Sequence, residues 1–349
     1  MVRKLIIFLG SSLATVTGAG LLARYVPPNV WWPPSIIALL LPGLLLLSLL
    51  FLVLCFYKKW FGAAILPGLI LLAAFPLFPR LFSVSLGSRS STEAKAISLI
   101  SANVRRFKND KGEAVGREKA FGFIRDGEPD VLLLQETLHS RYKNPFFKDI
   151  SKAAGLKKRH QPKNKTIATY ADRSDFVTDE FPAGSDINGF LITDVETDVG
   201  TIRVINVHLL SNQISGMAGE IGKDSDVKEE IDRAESMLRS YGAAAAGRAG
   251  QARLIRRYIE ESPHPVIVGG DFNDVPSSYT YQKIMTPRLK DAWAEKGFGL
   301  GTTFTGPLPG LRIDFFLVDT TFTVTEIERI ETGYSDHRGL KVKVKRKRE

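Results

Sequence analysis

Several stretches of this chain place an acid or an amide where an apolar run ends, and one does so twice. Val266-Ile267-Val268-Gly269-Gly270 leads into Asp271-Phe272-Asn273-Asp274. The apolar run reads as a buried strand that delivers Asp271 and Asn273 onto the turn at its end. Two apart in an extended segment, they share a face. A carboxylate and a carboxamide facing the same way can hold a hard cation, a water or a phosphoryl oxygen. Taken alone, GDxN is explained equally well by an Asx-type turn. Two downstream segments add weight to the chemical reading. Arg312-Ile313-Asp314-Phe315-Phe316-Leu317-Val318 is a second apolar run with one acid inside it, and Ser335-Asp336-His337 precedes a final strand at 340–344.

Upstream elements have to bring partners to these groups. Residues 97–104 read as a strand that carries Asn103 at its end, and 119–125 as a helix. Residues 129–134 form a second buried run, ending at Gln135-Glu136-Thr137. Stretches 190–195 and 201–209 alternate as a strand pair, and the second delivers Asn206 and His208. Helical patterns come next at 227–240 and 250–261, with Ala243 to Ala246 between them as a loop or helix join. The basic segment 157–165 reads as a solvated loop rather than a nucleic-acid patch.

At 349 residues, the chain has room for one large domain or two ordinary ones. A net charge of +10 suggests anionic neighbours without choosing among nucleic acid, phospholipid headgroups and small phosphates. With Cys55 as its single cysteine, the chain has no intrachain disulfide, and cysteine zinc sites and thiol catalysis are poor readings. Residues 1–84 read as a transmembrane anchor of three helices, at about 5–26, 36–57 and 63–84, each near the ~20 residues needed to cross the hydrocarbon core. A signal peptide would account only for the first. The turn Pro27-Pro28 to Trp31-Trp32-Pro33-Pro34 carries interfacial aromatics. Arg3, Lys4, Lys58 and Lys59 put the N-terminus and the second loop in the cytoplasm, although Arg80 and Arg89 reduce the contrast. Three crossings then place residues beyond about 85 outside, through a polar linker at 85–95. The expectation is a multi-pass protein of a bacterial inner membrane with a periplasmic domain at 96–349.

The ordered pieces SANVRRF, LLLQET, INVHLLS, IVGGDFND, RIDFFLV and YSDHRGL resemble the endonuclease/exonuclease/phosphatase superfamily across about 96–344. Pancreatic-type deoxyribonucleases, abasic-site endonucleases, neutral sphingomyelinases and inositol-polyphosphate phosphatases are members. GRAGQARLI, DFNDVPSSYTY and LKDAW with GTTF are similar to a membrane-anchored branch found in Bacteroidetes-type bacteria. The resemblance implies a four-layered α/β sandwich, two packed β-sheets flanked by helices, here preceded by the three-helix anchor. It also implies roles. Glu136, Asn103 and Asp336 would hold Mg2+ or Mn2+ through oxygen. His337, oriented by Asp314, would take a proton from the attacking water. Asp271 and Asn273 would orient that water and the phosphoryl oxygens, His208 would donate to phosphate, and Asn188 would contact phosphate or cap a turn.

A phosphate ester is anionic and repels nucleophiles, so a divalent cation suits such chemistry. His139, His160 and His264 lack such motifs and read as structural. Thr303-Phe304 lines the cleft or begins a strand, and Arg105 and Arg106 face phosphate or form a surface pair. Of the C-terminal cations, Lys341, Lys343 and Lys345 alternate on a strand, and the tail beyond them could meet anionic lipid. The functional expectation is a membrane-anchored, metal-dependent phosphoesterase. A lipid-linked or small phosphate ester is its favoured substrate, and an extracytoplasmic nuclease on DNA or RNA is the alternative. A non-catalytic membrane binding module would be expected to lose these acids and histidines. The expected partners are the lipid bilayer and the phosphate-ester substrate, with no obligate protein partner evident.

Overall fold

The three apolar runs fold as helices in the computed structural model, which describes residues 1–85, 96–139, 146–211, 227–306 and 310–347. Most of the expected linker, 86–95, lies outside the described residues. The chain divides into two compact units: 1–81 with 212–252 and 274–284, and 82–211 with 253–273 and 285–349.

The first unit contains α1 (Val2–Leu22), α2 (Pro33–Tyr57) and α3 (Phe61–Ala74), the last extended by a 3-10 turn and α4 (Phe78–Leu81). Three spans, Val2–Leu22, Pro33–Tyr57 and Phe61–Leu81, are long and apolar enough to cross a membrane. Leu46, Leu47, Leu50 and Val53 of α2 are exposed, a surface that water disfavours and acyl chains do not. The helices pack through small groups. The Thr17 and Ser48 hydroxyls hydrogen-bond at 3.0 Å between α1 and α2, and the ring of Phe51 fills the space beside Gly10. Against α2 the same unit sets part of α7 (Val227–Glu260), whose Tyr241 hydroxyl donates to the Ser35 carbonyl. Ser277 Oγ donates to the carbonyl of Ala38. Arg248 and Asp274 form a buried ion pair at 3.1 Å. The expected join at Ala243 to Ala246 is instead continuous helix, the four alanines, strongest of helix formers, carrying it between Gly242 and Gly247.

The second unit is built on two six-stranded sheets. It opens with β1 (Ser83–Val84), β2 (Ile97–Asn103), α5 (Arg117–Gly127), β3 (Val131–Gln135) and α6 (Phe146–Ala154). Then come β4 (Lys158–His160), β5 (Ala168–Ala171), β6 (Ser174–Glu180), β7 (Gly189–Thr197) and β8 (Gly200–His208). After α7 the order is β9 (Val266–Asp271), α8 (Tyr279–Ile284), β10 (Leu289–Asp291), α9 (Ala292–Lys296) and β11 (Phe298–Gly299), α8 itself lying in the first unit. The chain closes with β12 (Asp314–Asp319), β13 (Phe322–Ile330) and β14 (Gly339–Arg346). The basic stretch 157–165, expected as a loop, contains the edge strand β4, which pairs with β5.

One sheet runs β10-β12-β9-β8-β7-β6, the other β13-β14-β2-β3-β5-β4. Each has one parallel pair, β8–β9 and β2–β3, and the sequence between each pair supplies the helix that a parallel crossover needs. Leu99, Val131, Leu133 and Val342 of one sheet share a core with Val204, Ile267, Phe316 and Val318 of the other. On the outer face, Ile100, Leu132 and Leu134 pack under Phe121, Ile124, Phe147 and Ile150 of α5 and α6. With both faces covered, β2 and β3 are buried at every position, which explains the apolar run Val131 to Leu134 and the small size of Ser98, Ser101 and Ala102 among the aliphatics of β2. The fold is therefore the expected mixed α/β arrangement of two sheets with helices.

Candidate active site

Parallel pairing brings four polar side chains to one edge. Asn103 ends β2 and Glu136 comes directly after β3; His208 ends β8 and is the register partner of Asp271 at the end of β9. Gly270 permits that pairing. Its φ is +136°, and a Cβ there would come within 2.1 Å of the Val207 carbonyl oxygen, so β9 approaches β8 closely only with glycine. Glu136 and Asn273 have φ of 47° and 50°, left-handed values for non-glycine residues, so strain gathers where these strands end. Asn273 is consequently not extended and departs from strand alternation. Its N–H donates to Asp271 Oδ1 at 2.8 Å, an Asx turn that seats both side chains.

Asn103, 2% exposed, donates from Nδ2 to Glu136 Oε1 and to Asp271 Oδ2, both at 3.1 Å. His208 directs Nδ1 at the Ile187 carbonyl, 3.2 Å away. A carbonyl only accepts, so Nδ1 carries the proton and Nε2 turns toward Glu136 at 3.7 Å and Asp271 at 3.6 Å. Asp314, which opens β12, lies 3.0 Å from His337 Nδ1, leaving Nε2 of that ring 3.7 Å from Asp271. Asp271 thus sits between two imidazoles. Burial opposes a charge on His337, but Asp314, Asp271 and Asp336 outweigh it, and the imidazole is pushed up to about 10. Burial also pushes the Asp314 carboxyl up, against the pull of His337 and Thr303.

The remaining expected residues divide. Asn188 and Asn273 both donate side-chain N–H groups to the Leu209 carbonyl, at 2.9 and 3.0 Å, so they stand side by side. Asp336 is half-buried, with Arg105 Nε at 3.9 Å. Thr303 is buried, and its hydroxyl accepts the N–H groups of Ile313 and Asp314; Phe304 sets its ring edge-on to His337, with centroids 5.3 Å apart. His139 lies 3.4 Å from Asp186, His160 bonds Ser174, and His264 lies 3.8 Å from Asp194.

Other contributors come to light only in three dimensions. Gln135 donates to Asn206 Oδ1 at 2.7 Å and to Ser101 Oγ at 3.2 Å, while Asn206 donates to the Ala168 carbonyl at 2.9 Å. This buried network ties the two sheets together beneath the site. Ser335 donates to the Asn103 carbonyl at 2.8 Å and accepts the His337 N–H, joining the loop before β14 to the end of β2. Amides inside otherwise apolar runs, LLLQ and VINV, were the available signal for the first pair.

Residues 100–337 match the model of the endonuclease/exonuclease/phosphatase family, and residues 3–81 match a family of unknown function. No curated protein matches. Among solved structures, the chain is similar to an endonuclease/exonuclease/phosphatase from Beutenbergia cavernae, at 17% identity and TM-score 0.49, covering 72% of each chain. It is also similar to a family protein from Bacteroides thetaiotaomicron, at 19% identity and TM-score 0.47, covering 74% of this chain and 100% of that one. A third is Danio rerio TDP2 complexed with a single-strand DNA product, at 19% identity and TM-score 0.48, with coverage of 72% and 99%. With the family model covering most of its length, the chain belongs to the endonuclease/exonuclease/phosphatase family, a family of metal-dependent hydrolases acting on phosphate esters.

Proposed function

We propose that the protein is a membrane-anchored phosphoesterase that cleaves its substrate with water activated by His337 and Asp314. The observation that carries this reading is the 3.0 Å contact between His337 Nδ1 and Asp314, with His337 Nε2 turned to the carboxylate edge. In that arrangement Asp314 orients the ring, and a cation among the neighbouring acids would draw the His337 pKa down from about 10 and leave Nε2 free to accept the proton of water. Asp271 and Asn273 hold the water and the phosphoryl oxygens, with Asn188 beside Asn273. His208, its Nδ1 tied to a backbone carbonyl, presents Nε2 to phosphate as a donor in its imidazolium form.

The residues present fit a divalent cation. Three carboxylates, Glu136, Asp271 and Asp314, converge with two imidazoles, and the Asn103 amide stands between two of the acids. A cation supplies the positive charge such a cluster lacks and neutralises charge developing on the phosphoryl group. Asp271, Asp314 and His337 also have ligand atoms within 4.8 Å of one another, a second grouping able to hold an ion. We assign that trio to proton transfer, because an ion there would displace the His337–Asp314 hydrogen bond. Glu136 and Asp336 are left as carboxylate ligands, and Asn103 would join them with its amide turned over, exchanging the Nδ2 it now presents for the Oδ1 that accepts the Arg105 N–H, a set suited to Mg2+ or Mn2+.

Three apolar spans support a multi-pass anchor in a bacterial inner membrane, with the second unit on the periplasmic side by the distribution of Lys and Arg. The anchor favours a lipid-linked or small phosphate ester, whereas the +10 charge favours nucleic acid as the alternative polyanion. The test is hydrolysis by the full chain in detergent, with Mg2+, Mn2+ or chelator, of bis(p-nitrophenyl) phosphate, phospholipids, sugar phosphates, plasmid DNA and RNA. Metal-dependent turnover that His337→Ala abolishes supports the reading. Turnover indifferent to both chelator and His337→Ala ends it.

A further inference from the structure

β1 and β11 form a small ribbon whose two faces differ sharply. Ser83 pairs with Gly299 and Val84 with Phe298 in antiparallel register. Directly opposed residues share a face, and so do residues two apart along a strand. Phe82, Val84 and Phe298 therefore lie together on one side, at 47%, 62% and 65% exposure, and Leu300, just past the left-handed turn at Gly299, is 43% exposed. The other side is seated on protein. Ser83 is buried and donates to the Ala294 carbonyl, and Trp293 of α9 donates its indole N–H to the Gly299 carbonyl at 3.2 Å. Two aromatic rings and two aliphatic chains thus stand in solvent on a rigidly backed ribbon, an expensive arrangement for a surface facing only water.

The course of the chain indicates the material that covers this face. The third apolar span ends at Leu81, and Phe82 is the next residue. A ribbon that starts where a span ends cannot stand far from the headgroup layer. Exposed Arg329, its guanidinium 5.4 Å over the Trp293 ring, puts a cation beside the ribbon, as anionic headgroups require. From Leu300 the chain passes through Gly301, Thr302 and Thr303 to Phe304, whose ring touches His337. Four residues span at most about 14 Å, so the apolar face and the proton-accepting histidine are close neighbours.

We infer that Phe82, Val84, Phe298 and Leu300 insert into the interfacial layer of the bilayer and hold the catalytic edge against the membrane surface, where the esters it receives are those carried by lipids. The inference rests on the membrane-anchor reading. The ribbon works as a second, shallow attachment separate from the spans, and it fixes which side of the catalytic unit meets lipid.

The test uses the full chain, its one cysteine removed as Cys55→Ser, reconstituted in vesicles of phosphatidylethanolamine and phosphatidylglycerol. A nitroxide is attached at Phe298→Cys and, separately, at Val84→Cys, Leu47→Cys and Glu118→Cys. Power saturation then compares collisions with oxygen, which enriches in lipid, and with a nickel chelate, which stays in water. At Phe298→Cys and Val84→Cys the oxygen-to-nickel ratio should exceed that at exposed Glu118→Cys by at least about threefold, below the value at Leu47→Cys in α2, as shallow insertion requires. A ribbon ratio equal to that of Glu118→Cys, with Leu47→Cys still lipid-like, overturns the ribbon and leaves the anchor standing. Aqueous behaviour at Leu47→Cys as well overturns the anchor and the ribbon with it. Spin–spin broadening at Phe298→Cys with shielding from both agents would show a second copy covering the face, and would also overturn the inference.

Discussion

Asp274 and Asp271 leave the same strand–turn segment, and both are sealed from water, at 2% and 1% exposure. In the helical unit, Asp274 faces Arg248 at 3.1 Å, one charge against one, with Arg248 wholly buried. In the sheet unit, Asp271 is set among Asn103, His208 and His337, with Glu136 and Asp314 close by. The first arrangement is balanced in charge. The second holds more acid than base, and a proton or a cation must complete it. Burial alone therefore does not distinguish a structural acid from a chemical one; the balance of charge around it does.

The comparison breaks most visibly at His337. His337→Ala should lower turnover by about two to four orders of magnitude while the melting temperature holds. Unchanged turnover would put the surplus of acid to no use. Asp274→Ala should act the opposite way. Leaving Arg248 buried without its partner costs about 3–5 kcal/mol of stability, read as a lowered denaturation midpoint, and Arg248→Met in the same chain should restore much of it. A loss no larger than that of a surface substitution would mean that the pair is not structural.

Glu136→Gln sharpens the contrast further. In the parent protein, Mg2+ or Mn2+ at a hundred times its dissociation constant should stabilise the fold by about 2.7 kcal/mol, and the variant should lose that metal-dependent rise. The smallest effect belongs to Asp319, a third buried acid, which accepts from Arg288 and from the N–H groups of Val266 and Thr321. Burial raises its carboxyl, but the Thr321, Arg288 and Val266 hydrogen bonds prevail and hold it below the usual carboxylate range. Its contribution is thus fully present above the ordinary carboxylate value of about 3.9. It is lost as pH falls through the lower folded value. Asp319→Asn should flatten this acid limb in pH-dependent unfolding, and an unaltered limb would remove Asp319 from the set of satisfied acids.

The strand-end residues were legible because burial on both faces writes an unbroken apolar run, and the first polar residue after it marks the sheet edge. Asp271 obeys that rule, while Asn103 and His208 end their strands, and Glu136 follows its own, behind an earlier polar residue, Ser101, Asn206 and Gln135. Asn273 was found for a reason the structure revises, since it turns with a left-handed φ instead of continuing the strand. The bonds that Gln135, Asn206, Thr303 and Ser335 make were not legible, although Asn206 was placed at its strand end and Thr303 beside the cleft, because each acts on a partner remote in sequence and no local pattern encodes that. The ribbon escaped for the same reason, its two strands being two residues each. The continuity of α7 was hidden by a run of alanines that reads as low complexity and folds as good helix.

The position of β14 has a consequence for how the protein is made. It lies inside its sheet, between β13 and β2, although it is the final strand in the chain. Chains emerge from the ribosome N-terminus first, so β2 and β3 wait with an open edge while everything up to β13 is synthesised. His337 stands just before β14, and the β14–β2 pairing closes the sheet directly behind it. A chain stopped before β14 would leave the β2 edge unpaired and His337 without the strand pairing that follows it.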